Sequence, residues 1–274
     1  MLPELPEFLK EDIGDGDITT NAIVPEDVEA AAEVVAGEGG MLAGIEEVAQ
    51  LLDHEGLKYK TSLKDGDEIK KGSVVMEVSG NARKILGTER VVLNILMRMS
   101  GIATLTKSLS EKARPYGVKI AGTRKTTPRF RYFEKKAIEI GDGHPHRLGL
   151  DDAFLIKDNH ISVAGLEEAI SRVKKSGISK EVEVEVSTPE DALKACRLGV
   201  DIIMLDNMEP DAIERTLSEM EKEGLRNGVK IELSGGITAE NLESFLRLRP
   251  DVISMGALTT NARWLDMNVR LKIL

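Results

Sequence analysis

Aromatic residues are scarce in this chain: five Phe, three Tyr and one Trp make up 3% of 274 residues. A surface that reads single-stranded nucleic acid by stacking bases on aromatic rings is hard to build from so few. Cysteine is scarcer still. The one residue, Cys196, excludes an intramolecular disulfide and any zinc site made of several cysteines. It lies in "DALKACRLG", a helical pattern, and reads as a buried structural thiol. Four histidines (His54, His144, His146 and His160) leave little material for metal chemistry. No run approaches the roughly eighteen consecutive apolar residues of a membrane-spanning helix. The opening "MLPELPEFLKEDIGDGD" is acidic and has no basic-then-apolar leader pattern, so the expectation is a cytoplasmic protein that meets no membrane.

What is present is charge, unevenly placed. The net charge is −10, yet residues 83–131 carry twelve Lys or Arg against two acidic residues, and "GTRKTTPRFRYFEKK" (122–136) alone holds six. A basic strip on an acidic body predicts a defined anionic ligand; nucleic acid would more naturally meet a generally basic domain. Lys135 and Lys136 read as a solvated helix face. Arg129 and Arg131 are expected on the same helix. Arg124 and Lys125 differ, because they fall at the end of the apolar run "VKIAG".

The first part of the chain mixes short strands, turns and helices. "AAAEVVAGEGGMLAG" reads as a strand and turn, "EEVAQLLDHEG" as a helix ending near Gly56, and "LKDGDEIKKGSVVMEVSG" as a hairpin-rich β segment. "TERVVLNILMRMSGIATLTKSLSEKAR" is helical and apolar on nearly every side, which suits a domain junction or subunit interface. From about residue 118, short β-branched runs ("VKIAG", "DAFLIK", "VEVEVS", "DIIMLD", "KIELSGG", "DVISMGA") alternate with amphipathic helices. That rhythm predicts a parallel sheet covered by helices. "HRLGL" is a candidate for a further short strand. The fold expected is α/β: an N-terminal α/β (α+β) domain over 1–114, then an incomplete parallel β/α barrel over 115–274, with a C-terminal tail free to pack back on the first domain.

The polar residues fall at the strand ends: Lys157, Glu185, Asp206-Asn207, Ser234-Gly235-Gly236 and Gly256. In β/α barrels these ends and their loops carry the chemistry, so an enzyme with one convergent site is predicted. In "VEVEVS", Glu181, Glu183 and Glu185 share one face. Inside a parallel core that face points inward, where carboxylates need cations or donors. Asp206 with Glu185 makes a pair able to hold Mg²⁺ or ribose hydroxyls, or to stabilise a developing cation. "LSGGIT" and "SMGALT" place backbone amides at two strand-to-helix transitions, a phosphate cradle. "HPH" at 144–146 matches the opening of some zinc barrels, but no histidine follows His160 to complete such a site. His146-Arg147 instead add two donors to Arg124, Lys125 and Lys157. Lys157 at a strand end also fits a Schiff-base aldolase, and a phosphosugar sensor without turnover is a third class.

Together, "EDIGDGDIT", "ERVVLNILMRMSGIATLT", "GTRKTTP", "EKKAIEIG", "HRLGL", "LIKDNHI", "VEVEV", "MLDNM", "LSGGIT" and "ISMGALT" resemble quinolinate phosphoribosyltransferase, in family order across nearly the whole chain. The resemblance implies transfer of phosphoribosyl from phosphoribosyl pyrophosphate to quinolinate with Mg²⁺ and loss of CO₂, in NAD synthesis. It implies that Arg124, Lys125, His146, Arg147 and Lys157 clamp quinolinate, joined by Arg90 from the partner in a homodimer. Lys157, Glu185 and Asp206 would be catalytic, the two carboxylates also serving the metal. Ser234, Gly235, Gly236, Gly256 and Ala257 would hold the 5′-phosphate. A sister enzyme acting on nicotinate is the nearest alternative, although a monocarboxylate needs fewer cations. Two positions depart from the family, which favours glycine where this chain has Arg129 and Asp142.

Overall fold

A computed structural model describes residues 2–274. Twelve strands are described: β1 (Glu29–Ala36), β2 (Gly40–Met41), β3 (Lys58–Lys60), β4 (Glu68–Ile69), β5 (Val74–Asn81), β6 (Lys119–Ala121), β7 (Phe154–Ile156), β8 (Val182–Val186), β9 (Ile202–Asp206), β10 (Lys230–Ser234), β11 (Val252–Ser254) and β12 (Met267–Ile273). They fall in two compact units. The first comprises residues up to Ser108, Thr127–Asp142 and Ala262–Leu274; the second comprises Leu109–Thr126 and Gly143–Asn261. The division expected near residue 114 is a single cut, whereas the chain passes between the units four times.

The first unit is built on an antiparallel sheet in the order β12-β1-β5-β3. The run "EAAAEVVA" becomes β1, with Ala30, Ala32 and Val34 turned into the core. Helix Ile45–Glu55 ends at Gly56, as its sequence predicts. The long helix runs from Ala82 to Ala113 and passes from the first unit to the second after Ser108, so it is a domain junction. Ile95, Leu96, Met99 and Ile102 are fully buried along it, which explains its apolar circumference. At Gly101 the chain approaches so closely that a Cβ would lie 2.0 Å from the Arg263 carbonyl oxygen.

Segment 127–142 joins the first unit because of what its side chains need. Phe130 and Phe133 stack at 4.5 Å, and both lie within 5.7 Å of Phe8, so this one cluster uses three of the nine aromatic residues. Glu134 is fully buried and accepts from Arg98 Nη2 (2.6 Å), Thr127 N (3.0 Å) and Thr127 Oγ1 (3.0 Å). The expected solvated face is corrected here. Lys135 is only 2% exposed, and Lys136 Nζ reaches Glu46 (2.5 Å) and Glu47 (2.7 Å) with Asp65 at 3.6 Å. Arg129 is not helical either: the helix starts at Arg131, and Arg129 has φ 64°. Asp142 has φ 67°. Both departures from the family's glycines therefore sit in the left-handed backbone region that glycine adopts most cheaply.

The second unit holds six parallel strands in the order β6-β11-β10-β9-β8-β7, an incomplete β/α barrel. "HRLGL" forms no strand. Instead His144 bridges β6, its amide donating to the Ile120 carbonyl (2.8 Å) and its carbonyl accepting from Gly122 N (2.8 Å). In β8, Val182, Val184 and Val186 are buried, Glu183 is buried on the opposite face, and Glu181 lies just outside the strand, paired with Lys230.

Candidate active site

The C-terminal strand ends of the second unit surround a cavity of about 380 Å³. Arg124 and Lys125 follow β6, Lys157 follows β7, Glu185 closes β8, Asp206 and Asn207 end β9, and Ser234, Gly235 and Gly236 end β10; all line it. The parallel register makes this convergence automatic, since Ser234 pairs with Asp206 and Glu185 with Met204. His146 and Arg147 enter from the loop after the His144 bridge. Gly256 and Ala257 do not line the cavity. Gly256 lies behind Lys125, where a Cβ would meet the lysine Cδ at 2.9 Å, and Thr259 Oγ1 donates to the Lys125 carbonyl at 2.6 Å. Gly256 and Thr259 thus pack against the basic loop. Arg90 belongs to the first unit and is not among the residues lining this cavity.

The cations here crowd one another. Arg147 is 8% exposed and its Nη1 donates to the Ala153 carbonyl (3.2 Å). Burial and then the neighbouring Arg124 push its pKa down, so the two guanidinium groups repel each other across the site. Arg124 Nε is buried without a hydrogen-bond acceptor. Lys157 Nζ is paired with Glu185 Oε2, and Asn207 Nδ2 donates to Asp206 Oδ2 (2.5 Å). Two adjacent guanidinium groups, one with an unanswered donor, call for a ligand with more than one negative charge.

Gly235 shapes the opposite wall. Its φ is 89°, and a Cβ would stand 2.4 Å from Asn207 Oδ1 and 2.6 Å from Asn207 N, so no side chain fits. The next helix begins only at Leu242, leaving the amides after β10 on an open turn and not on a helix N-terminus.

Beneath the cationic wall lies a layer that strand patterning alone did not assign to the site. His146, at φ 58°, places Nε2 3.5 Å from Glu183 Oε2 and 3.4 Å from Glu232 Oε1. Its Nδ1 faces the Arg147 amide at 2.9 Å, and its own amide donates to His144 Nδ1 at 3.1 Å. Burial disfavours charge on the ring, but the bonds to Glu183 and Glu232 outweigh it and raise its pKa to about 9. Burial raises that of Glu183. Both ring nitrogens thus have protein partners. The signal for Glu232 was available in "KIELSGG": two residues before Ser234 on a strand, it must share that residue's inward face. Ser254, also lining the cavity, stands in the same relation to Gly256.

A second cavity, of about 470 Å³, lies within the first unit, lined by Glu7, Glu11 and Asp12 beside Phe8 and Phe130. Arg98 and Arg129 also line it, so its charges are mixed.

Fold and cationic mouth together define a barrel enzyme for small, multiply charged anions. Comparison with known proteins narrows this. The N-terminal and C-terminal domain profiles of quinolinate phosphoribosyl transferase match residues 17–100 and 102–270. A probable nicotinate-nucleotide pyrophosphorylase [carboxylating] of Methanothermobacter thermautotrophicus is 43% identical over 99% of both chains. One of Archaeoglobus fulgidus is 48% identical over 93% of this chain and 98% of its own. The crystal structure of NadC from Streptococcus pyogenes superposes with a TM-score of 0.90, at 37% identity, over 98% of this chain and 95% of that one. The chain belongs to the quinolinate phosphoribosyltransferase family.

Proposed function

We propose that the chain is a carboxylating nicotinate-nucleotide pyrophosphorylase: it joins quinolinate to phosphoribosyl pyrophosphate and releases pyrophosphate and CO₂, giving nicotinate mononucleotide for NAD synthesis. One observation supports this beyond family membership. Arg124, Lys125, Arg147 and Lys157 converge on a cavity that also holds Glu185 and Asp206 on neighbouring strands. A passive anion binder gains nothing from two carboxylates beside a phosphate; an enzyme that develops a cationic sugar does.

Arg124 and Arg147, with Lys125 and Lys157, take the two quinolinate carboxylates and orient the ring nitrogen towards the anomeric carbon. The amides of Ser234, Gly235 and Gly236 hold the 5′-phosphate, and Gly256 and Ala257, which do not line the cavity, are the weaker members of that set. Glu185 and Asp206 accept from the ribose hydroxyls. As the bond from the anomeric carbon to pyrophosphate breaks, the same carboxylates stabilise the positive charge left on the sugar while the ring nitrogen forms its new bond. The quaternised ring then takes up the electron pair of the bond to the adjacent carboxylate, CO₂ leaves, and a solvent proton replaces it. Mg²⁺ fits this donor set, because Glu185 and Asp206 offer hard oxygen ligands at adjacent strand ends; bound there, it would neutralise the departing pyrophosphate. A cytoplasmic homodimer, with Arg90 supplied by the partner, belongs to the same reading.

The test is an assay with phosphoribosyl pyrophosphate, Mg²⁺ and either quinolinate or nicotinate, scoring nicotinate mononucleotide and CO₂. Product and CO₂ from quinolinate alone is the expected result. Product from nicotinate alone overturns the dicarboxylate clamp, and no product from either overturns the reaction.

A further inference from the structure

The layer formed by His146, Glu183 and Glu232 is unusual for the floor of an anion site. It puts two buried carboxylates, 3% and 2% exposed, beneath a ligand that is itself negative. Each leaves Oε1 without a hydrogen bond of ordinary geometry. Their shared neighbour is one ring nitrogen, almost equidistant from both. Two carboxylates this close in a barrel interior need a cation between them. The three side chains offer ligand atoms within 4.8 Å of one another. The charge of Arg147, which acts on Glu183, favours a proton there over a divalent ion.

We infer that Glu183 and Glu232 are positioning residues for quinolinate, acting through His146: they fix its Nε2–H downward and keep the ring cationic under the carboxylate clamp. The inference rests on the placement of quinolinate at this mouth. The opposite side of the layer faces a cavity of about 800 Å³ where Lys119, Lys180, Glu181, Lys230 and Asp251 stand. His144, with its ring centroid 6.4 Å away, and Arg147 come from the same segment. Arg124, Lys125, Lys157, Glu185 and Asp206 come from the surrounding strand ends. A second ring proton at Nδ1 requires the Arg147 amide, 2.9 Å away, to turn aside, a cost set against the attraction of two close carboxylates. With both carboxylates present, the charge on His146 persists through neutral pH. With one neutralised, it is lost as pH rises through neutrality, and the clamp then weakens.

Two measurements test this. In the free protein labelled with ¹³C-histidine, with the His146 signal assigned by its loss in His146→Gln, that ring should titrate well above its ordinary value of 6.5 and near 9. In Glu232→Gln or Glu183→Gln it should fall by at least one unit. Correspondingly, the alkaline limb of kcat/KM for quinolinate should move towards neutrality in either variant. Between the old and new limbs, the KM for quinolinate should rise by about tenfold per pH unit while the KM for phosphoribosyl pyrophosphate holds. A wild-type His146 that titrates near 6.5, or variants whose limb stays in place, overturns the inference. Should a variant fail to fold, the wild-type titration still decides, with the His146 ring then assigned by through-bond correlation to its backbone amide. Arg147→Ala separates the two readings: if it leaves the quinolinate KM unchanged the clamp is wrong, whereas the ring titration still reports on the carboxylates.

Discussion

The two units differ in which buried charges they bring together. In the first, Glu134 is satisfied by Arg98 and Thr127 together, and Lys136 is ringed by Glu46, Glu47 and Asp65, although Glu47 Oε2 and Asp65 Oδ2 are buried there without a hydrogen bond. In the second, Arg124 and Arg147 repel each other, and Arg124 Nε, Glu183 Oε1, Glu232 Oε1 and Ser254 Oγ are buried without hydrogen-bond partners. Opposite charges brought together inside the chain hold the fold. Two guanidinium groups sharing one cavity concentrate like charge that an anionic ligand would relieve. Burial alone does not make this distinction, because Glu134 and Glu183 are both buried.

The sharpest way to break this comparison is to remove one charge from each unit. Glu134→Ala strands Arg98 and should cost about 3–5 kcal/mol of stability, read as a fall in the urea midpoint. Arg147→Ala should do the reverse: kcat/KM for quinolinate falls roughly 10²-fold or more, while the melting temperature is unchanged or rises because the repulsion with Arg124 is relieved. If Arg147→Ala instead unfolds the protein, the contrast between the units fails. A smaller effect should appear with pH. The native pKa of His146 is about 9 against an ordinary 6.5, so the stabilisation it supplies is complete below pH 6.5 and lost as pH climbs through 9. Denaturation midpoints measured from pH 6.5 to 9.5 should therefore decline, and Glu232→Gln should flatten that decline. The smallest effect is expected at Arg129. Replacement by Gly relieves the left-handed backbone at φ 64° and should stabilise by about 0.5–1 kcal/mol, after allowing for the greater freedom of glycine in the unfolded chain. No gain would mean that the arginine side chain makes contacts worth as much as the strain.

The second unit was the more legible of the two. Its strands are short, apolar and parallel, so each polar residue at the end of a run had to emerge at the same mouth. Lys157, Glu185, Asp206 and Ser234 were readable for that reason. Glu232 escaped because one carboxylate inside an apolar run looks like ordinary strand variation until Ser234 is seen to share its face. Lys135 and Lys136 were misread for a different reason. A helix face is solvated or buried according to what packs against it, and Glu46 and Glu47 are about ninety residues away in sequence. The place of segment 127–142 likewise depended on Phe8, and no local pattern announces a contact across that distance.

The sheet of the first unit begins with β1 and gains its edge strand only at β12, where Ala30 pairs with Ile273 and Ala36 with Met267. A chain emerging from the ribosome must therefore carry an unfinished hydrogen-bonding edge on β1 throughout synthesis of the whole barrel. The barrel can close first; the sheet that started earlier has to wait. A stalled or proteolysed chain cut before Met267 would present that edge to any other strand nearby. Completion of the first sheet thus depends on a strand that follows the whole barrel in sequence.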